Sequence, residues 1–266
     1  MPLILERALA GVVLAAIIAA IARRAGSLST SGAVTAVALG TASVIAGWDW
    51  GALLVIYFVA STALSRFRAA EKDVRTRGIV AKGGTRDVTQ VIANGGVFAA
   101  SASLTVVGSH ELAPMMTFAA LGALAAAAAD TWATELGTLY GGTPRSLFTW
   151  RPVEAGTSGG VSIAGSLAMI GGALFVALAA RALGIAGSAA IVVVAGVSGA
   201  IADSLLGATL QERRWCSTCK QFTERRVHVC GTSSVVAGGI EWIDNDLVNL
   251  IATIAGAAVA SLLAFL

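Results

Sequence analysis

The chain has 266 residues, 56% of them hydrophobic and 12% charged, with a mean hydropathy of +0.82. A water-soluble domain carries about a quarter charged residues, so this composition excludes a protein whose main solvent is water. In so apolar a chain, a net charge of +3 points to membrane orientation rather than to nucleic acid.

A helix needs about 20 mostly apolar residues to cross the hydrocarbon of a bilayer. The first such run is Leu3 to Ala22. It lacks a strongly basic region before it and is followed by Arg23 and Arg24, so it reads as a first membrane helix, not a cleaved signal sequence. Ala33 to Gly47 and Ala52 to Leu64 are shorter and rich in small residues, as closely packed interior helices are. Val91 to Gly108, the Ala-rich Pro114 to Ala129, Val161 to Ala180, Ala189 to Leu206 and Leu247 to Leu266 complete about eight spans. The expected fold is therefore all-α: one polytopic membrane helical bundle over residues 1–266, with its polar motifs in the connections.

With eight spans, the odd-numbered connections share one side. They carry every basic residue except Arg7 and Arg181, and the third is richest, holding Arg66, Arg68, Lys72, Arg75, Arg77, Lys82 and Arg86. The positive-inside rule then puts the odd connections in the cytoplasm and both termini outside, in an inner or plasma membrane.

The third connection enters a membrane helix through Gly83-Gly84-Thr85-Arg86-Asp87 and continues as Gln90 to Gly96, with Asn94 deeper in the span. Glycines and a basic residue ahead of a helix N-terminus form a natural phosphate cradle. For Asn94, Gly95 and Gly96, close helix packing is an equal reading. Asp130 and Glu135 follow an alanine run. An acid at the edge of an apolar helix is costly unless paired and marks a functional site by default. Their i to i+5 spacing is not one helical stripe, and they converge only if the helix breaks between them.

A second glycine-rich, hydroxyl-bearing segment, Gly156-Thr157-Ser158-Gly159-Gly160-Val161-Ser162, opens the next span. No Gly-Lys-Ser/Thr follows at Walker spacing, so neither segment is a P-loop. Asp203 and Ser204 end a later apolar helix, with Gln211 beyond it, and Asp244-Asn245-Asp246 with Asn249 begins the last. Helix capping is the alternative reading for Asp244 or Asp246 taken singly. Together the carboxylates form the inventory of hard oxygen ligands that suits Mg²⁺ bridging substrate phosphates. All three cysteines lie in residues 211–246, as Cys216-x2-Cys219-x8-His228-x-Cys230. In a reducing compartment this set fits a structural Zn²⁺ stapling the loop, with free thiols as the alternative.

Taken in order, Gln90 to Gly96, Ala129 to Gly137, Gly156 to Ser162, Asp203 to Gln211 and Asn245 to Asn249 resemble the integral-membrane family that includes the plant phytyl-phosphate kinase. The resemblance implies transfer of a phosphoryl group from a nucleoside triphosphate, CTP by analogy, to a prenyl monophosphate, with Mg²⁺ as cofactor. On that reading, the chemistry of the residues makes Asp130, Glu135, Asp203 and Asp246 the expected metal ligands or organisers, and Arg86 and Arg145 the phosphate clamps. Gly83, Gly84, Asn94, Gly156, Thr157, Ser158, Gly159, Gly160, Ser204, Gln211 and Asn249 would contact the prenyl phosphate and nucleotide. A CTP-dependent lipid cytidylyltransferase and a membrane transporter are the alternatives; a transporter would hold its acids near the bilayer midplane.

Overall fold

The computed structural model describes residues 2–266, with side chains from Ile4 onward. Eight long helices carry the apolar runs. They are α1 (Pro2–Arg24), α2 (Thr30–Ala46), α3 (Trp48–Arg66), α5 (Val88–Val107), α6 (Leu112–Tyr140), α7 (Ile163–Ala182), α8 (Ala189–Thr209) and α9 (Asn245–Leu263); a short α4 (Ala69–Arg75) lies in the third connection. Seven of the long helices have the length and hydropathy to cross a membrane, and α2 is the shorter apolar one.

The centre of the bundle is α6, whose run from Ala119 to Ala129 is buried without interruption. Alanine has almost no side chain to keep neighbours away, so α3, α5, α7, α8 and α9 all pack directly on it. Glycines on those neighbours complete the fit. A Cβ built on Gly196 of α8 would meet the Ala125 Cβ at 2.8 Å, and one on Gly256 of α9 would meet the Gly122 carbonyl at 2.6 Å. Thr253 of α9 adds a buried hydrogen bond at 3.0 Å to the Ala93 carbonyl of α5, a contact of the kind that holds helices together where water cannot compete. Outboard of α5, α2 packs on α5 and α1 packs on α2, around a smaller cluster of Ala19, Ala22, Leu28 and Ala33.

Two features depart from the sequence expectation. The span expected to stop at Ala129 continues unbroken to Tyr140, because Thr131 to Tyr140 contains no proline and stays packed on α7, where a Cβ on Gly137 would lie 3.2 Å from the Gly165 Cα. At 29 residues α6 is about 43 Å long, well beyond a hydrocarbon core of about 30 Å. Its last turns must project past the span. The connections also hold two small antiparallel sheets: β1 (Arg145–Ser146) with β2 (Gly160–Val161), and β3 (Arg213–Cys216) flanked by β4 (Gln221–Thr223) and β5 (Val235–Gly238).

If the small-residue seam sets the spacing of the bundle, Gly122→Val should lower the melting temperature in detergent by an amount matching about 1–3 kcal/mol of overpacking. Gly83→Ala, whose added Cβ meets nothing within 4 Å, should leave it unchanged in the same thermal-unfolding assay.

Candidate active site

The four odd connections meet at one end of the bundle. Backbone hydrogen bonds join the first to the third, Ser29 N to the Arg86 carbonyl and Arg86 N to the Ser27 carbonyl, both at 3.0 Å. The third, fifth and seventh wall a polar cavity of about 750 Å³ whose floor is the ends of α6, α8 and α9.

Carboxylates crowd this cavity, among them Asp130, Asp203, Glu224 and Asp246. Asp130 on α6 and Asp203 on α8 line it from the helix ends, Glu224 from the seventh connection and Asp246 from the first turn of α9. One oxygen of Asp203 and one of Asp246 are buried with no hydrogen-bond partner among the described residues. Burial pushes the Glu224 carboxyl above its ordinary range, even though Ser158 Oγ (2.9 Å), Gln211 Nε2 (2.8 Å) and the Ala81 N–H (3.3 Å) all donate to it. A row of acids with idle buried oxygens attracts a hard cation or the positive groups of a ligand.

Basic groups stand opposite. Lys82 Nζ is shared by Asp246, Asp87 (2.8 Å) and Thr89 Oγ1 (3.0 Å). Arg86 donates to Thr62 Oγ1 at 2.9 Å with its guanidinium over the Phe58 ring, 5.6 Å from the centroid, and Arg225 and Arg226 line the far wall. Asp87 is the N-cap of α5 in a reciprocal capping box with Gln90. Although burial opposes it, hydrogen bonds from Lys82, the Gln90 N–H and Thr89 hold its carboxyl down at about 2.

The glycine segments form the remaining walls. Gly83 and Gly84 face open space. Gly156 and Gly159 take φ of +89° and +74°, which favours glycine, and a Cβ on Gly159 would strike Ala208 of α8. Thr157, Ser158, Gly160, Ser204, Gln211, Asn249 and Asn94 all line the cavity, Asn94 Nδ2 donating to its own helix at the Gln90 carbonyl, 3.0 Å.

Three expectations need correction. Glu135 lines the same cavity as Asp130 but does not converge with it: α6 does not break, so their i to i+5 spacing turns the side chains about 140° apart. Glu135 is instead paired with Lys72 and accepts from Ser65 Oγ at 2.5 Å. Arg145 does not line the cavity; its guanidinium donates to the Trp150 carbonyl at 2.8 Å and closes its own loop. The α5 N-terminus is not a vacant anion cradle, because the Asp87 carboxylate already sits there and accepts the Gln90 N–H. Among residues the motifs did not single out, Lys72, Lys82, Asp87 and Glu224 belong to the site. A lysine flanked by acids in Ala69-Ala-Glu-Lys-Asp-Val-Arg75 and a lone acid among the basic residues of 220–226 were the available signals.

Beneath the polar cavity runs a second, apolar one of about 430 Å³, enclosed by α1, α2, α3 and α5. Arg86, Gln90 and Asn94 line both. The two spaces therefore share the wall that these three residues form.

Fold and site together define a polytopic helical membrane protein with a charged chamber at one end of its bundle. The chain belongs to the integral membrane protein DUF92 family, which it matches over residues 13–257. It is similar to Protein PGR of Arabidopsis thaliana, at 29% identity over 92% of each chain. To Protein VTE6, chloroplastic, of the same plant it is 28% identical over 89% of this chain and 65% of that one. The uncharacterized membrane protein MJ0933 of Methanocaldococcus jannaschii is 29% identical over 82% of this chain and 77% of its own. No solved structure matches. The family relationship read from the five ordered motifs is borne out.

Two measurements test this electrostatic frame. Lys82→Met strands the buried Asp246 and should cost about 1–3 kcal/mol, less than a fully buried pair because Lys82 is 42% exposed, while Lys82→Met/Asp246→Asn should recover most of the loss in thermal unfolding. The depressed Asp87 carboxyl contributes stability that is complete above its ordinary value of 3.8 and is lost as pH falls through about 2. Asp87→Asn should therefore flatten the stability profile between pH 4 and pH 2.

Proposed function

We propose that this chain transfers a phosphoryl group from a nucleoside triphosphate, CTP by the motif resemblance, to a prenyl monophosphate, giving the prenyl diphosphate. The observation that carries the proposal is the wall shared by the two cavities. A molecule with an apolar tail among α1, α2, α3 and α5 would present its phosphate at Arg86, next to a chamber large enough for a nucleotide and lined by acids and bases.

Each group then has a task. Arg86, held by Thr62 and stacked on Phe58, fixes the acceptor phosphate by charge-assisted hydrogen bonds. Lys82, Arg225 and Arg226 neutralise the donor phosphates, with Gly83, Gly84 and the 156–160 loop allowing close approach of backbone to phosphate. An oxygen of the prenyl phosphate attacks the terminal phosphorus of the nucleotide, the bond from that phosphorus to the bridging oxygen breaks, and the nucleoside diphosphate leaves. The attacking oxygen is already anionic, so no general base is needed, and rate comes from positioning and charge neutralisation. Asp130 and Asp203, with the idle oxygen of Asp203, fit a Mg²⁺ site of one or two carboxylates completed by phosphate oxygens. Bound there, the ion would offset negative charge between the two reactants. Glu135, tied to Lys72, acts as an organiser of α4 against α6 rather than as a ligand. By the positive-inside rule the chamber opens to the cytoplasm, where the nucleotide is found.

Purified protein with CTP, Mg²⁺ and prenyl monophosphates should release CDP and lipid diphosphate in equal amounts. Pyrophosphate with a CDP-linked lipid would instead establish a cytidylyltransferase. Asp130→Asn and Asp203→Asn should each lower kcat by at least about 100-fold without loss of the folded protein, and wild-type turnover in both would remove these acids from catalysis. Ala36→Phe, which narrows the apolar cavity, should raise KM for long prenyl chains more than for short ones.

A further inference from the structure

The seventh connection brings Cys216, Cys219, His228 and Cys230 together, with one ligand atom from each lying within 4.8 Å of all the others. Cys216 Sγ is 3.6 Å from Cys230 Sγ, and His228 Nδ1 is 3.3 Å from the same sulfur. Tetrahedral zinc with Zn–S bonds of about 2.3 Å separates its sulfurs by about 3.8 Å, so these gaps are those of ligands around an ion. A disulfide would need about 2.05 Å, and all three cysteines are free. His228 is 3% exposed, which gives its ring a fixed orientation with Nδ1 toward the thiols.

The position of this cluster matters as much as its geometry. Cys216 ends β3, where it pairs with Gln221 at the start of β4, and β4 runs directly into Glu224. From that strand, Glu224 N and Thr223 Oγ1 bond to the Ile79 carbonyl at 2.8 and 3.3 Å, and the Glu224 carboxylate accepts from the Ala81 N–H. These contacts grip the loop that carries Lys82, Gly83 and Gly84. Gln221 Nε2 donates to Glu154 at 2.6 Å and Glu224 accepts from Ser158, which grips the other glycine loop. Gly78, at φ +87°, lets the two pieces touch: a Cβ there would come 2.7 Å from His228 Nε2.

We propose that Cys216, Cys219, His228 and Cys230 bind one structural Zn²⁺, and that this ion fastens both glycine loops over the chamber by holding β3 and β4 in register. Thiolate and imidazole are the ligands that favour zinc over magnesium, so the site and the acidic chamber select different metals. It does not depend on which reaction the chamber performs.

Full-length protein purified in detergent from zinc-supplemented medium should contain about one zinc per chain by elemental analysis, and Cys219→Ser, at an exposed position, should lose it. His228→Cys should retain it as a four-thiolate site. Asp130→Asn should retain it too, so a failure of the transfer reaction leaves this result standing. In hydrogen-exchange measurements, residues 77–86 and 154–160 should exchange at least several-fold faster in Cys219→Ser than in wild type. Protein without zinc, with three thiols free or two of them joined as a disulfide, would overturn the site; zinc at full occupancy with unchanged loop exchange in the variant would overturn its role as a fastener.

Discussion

The close approach of small residues around α6 is the constraint on which everything else depends. In lipid there is no hydrophobic drive to bring helices together, so contact rests on surfaces fitting closely. Alanines 119, 120, 123 and 125–129 give α6 a smooth cylinder, and glycines 172, 196, 199 and 256 on its neighbours allow backbones to come nearly into contact with it. Replacing that seam by larger residues would push α8 and α9 outward. Asp130, Asp203 and Asp246 stand on three of these helices, so their mutual distances follow from the seam.

The second level of organisation lies outside the helices. Connections such as 67–87, 141–162 and 210–244 would be expected to move freely, yet here they are tied to one another by a few buried polar groups. Glu224 accepts from three elements, and Lys82 spans the start of α5 and the start of α9. Each such group is expensive to bury alone and affordable only as part of the set. The chamber is thus a product of loops that specify one another, laid over a floor specified by helix packing.

How much of this could be read from residues follows the same division. Hydropathy located all eight long helices, including α2, whose 17 residues fall short of a full span but keep its apolar character. It ended α6 too early, because hydropathy drops at Asp130 while the helix, meeting no proline, runs on to Tyr140. The acids Asp130, Asp203 and Asp246 were recognisable because charge beside apolar sequence is costly and needs a reason. Lys72 and Lys82 were not, since their partners Glu135 and Asp246 lie 63 and 164 positions away. Arg145 was misjudged for the complementary reason: a basic residue in a polar loop has many local acceptors, and a backbone carbonyl five residues on was sufficient.

The wall of Arg86, Gln90 and Asn94 common to the apolar cavity and the charged chamber has a kinetic consequence. An amphiphile whose head reaches the acids never needs to enter bulk water, so its arrival depends on lateral diffusion and on its mole fraction in the lipid leaflet, not on its aqueous concentration. Diluting such a compound with inert lipid would slow its capture even at constant total amount, while a water-soluble co-reactant would be indifferent to that dilution.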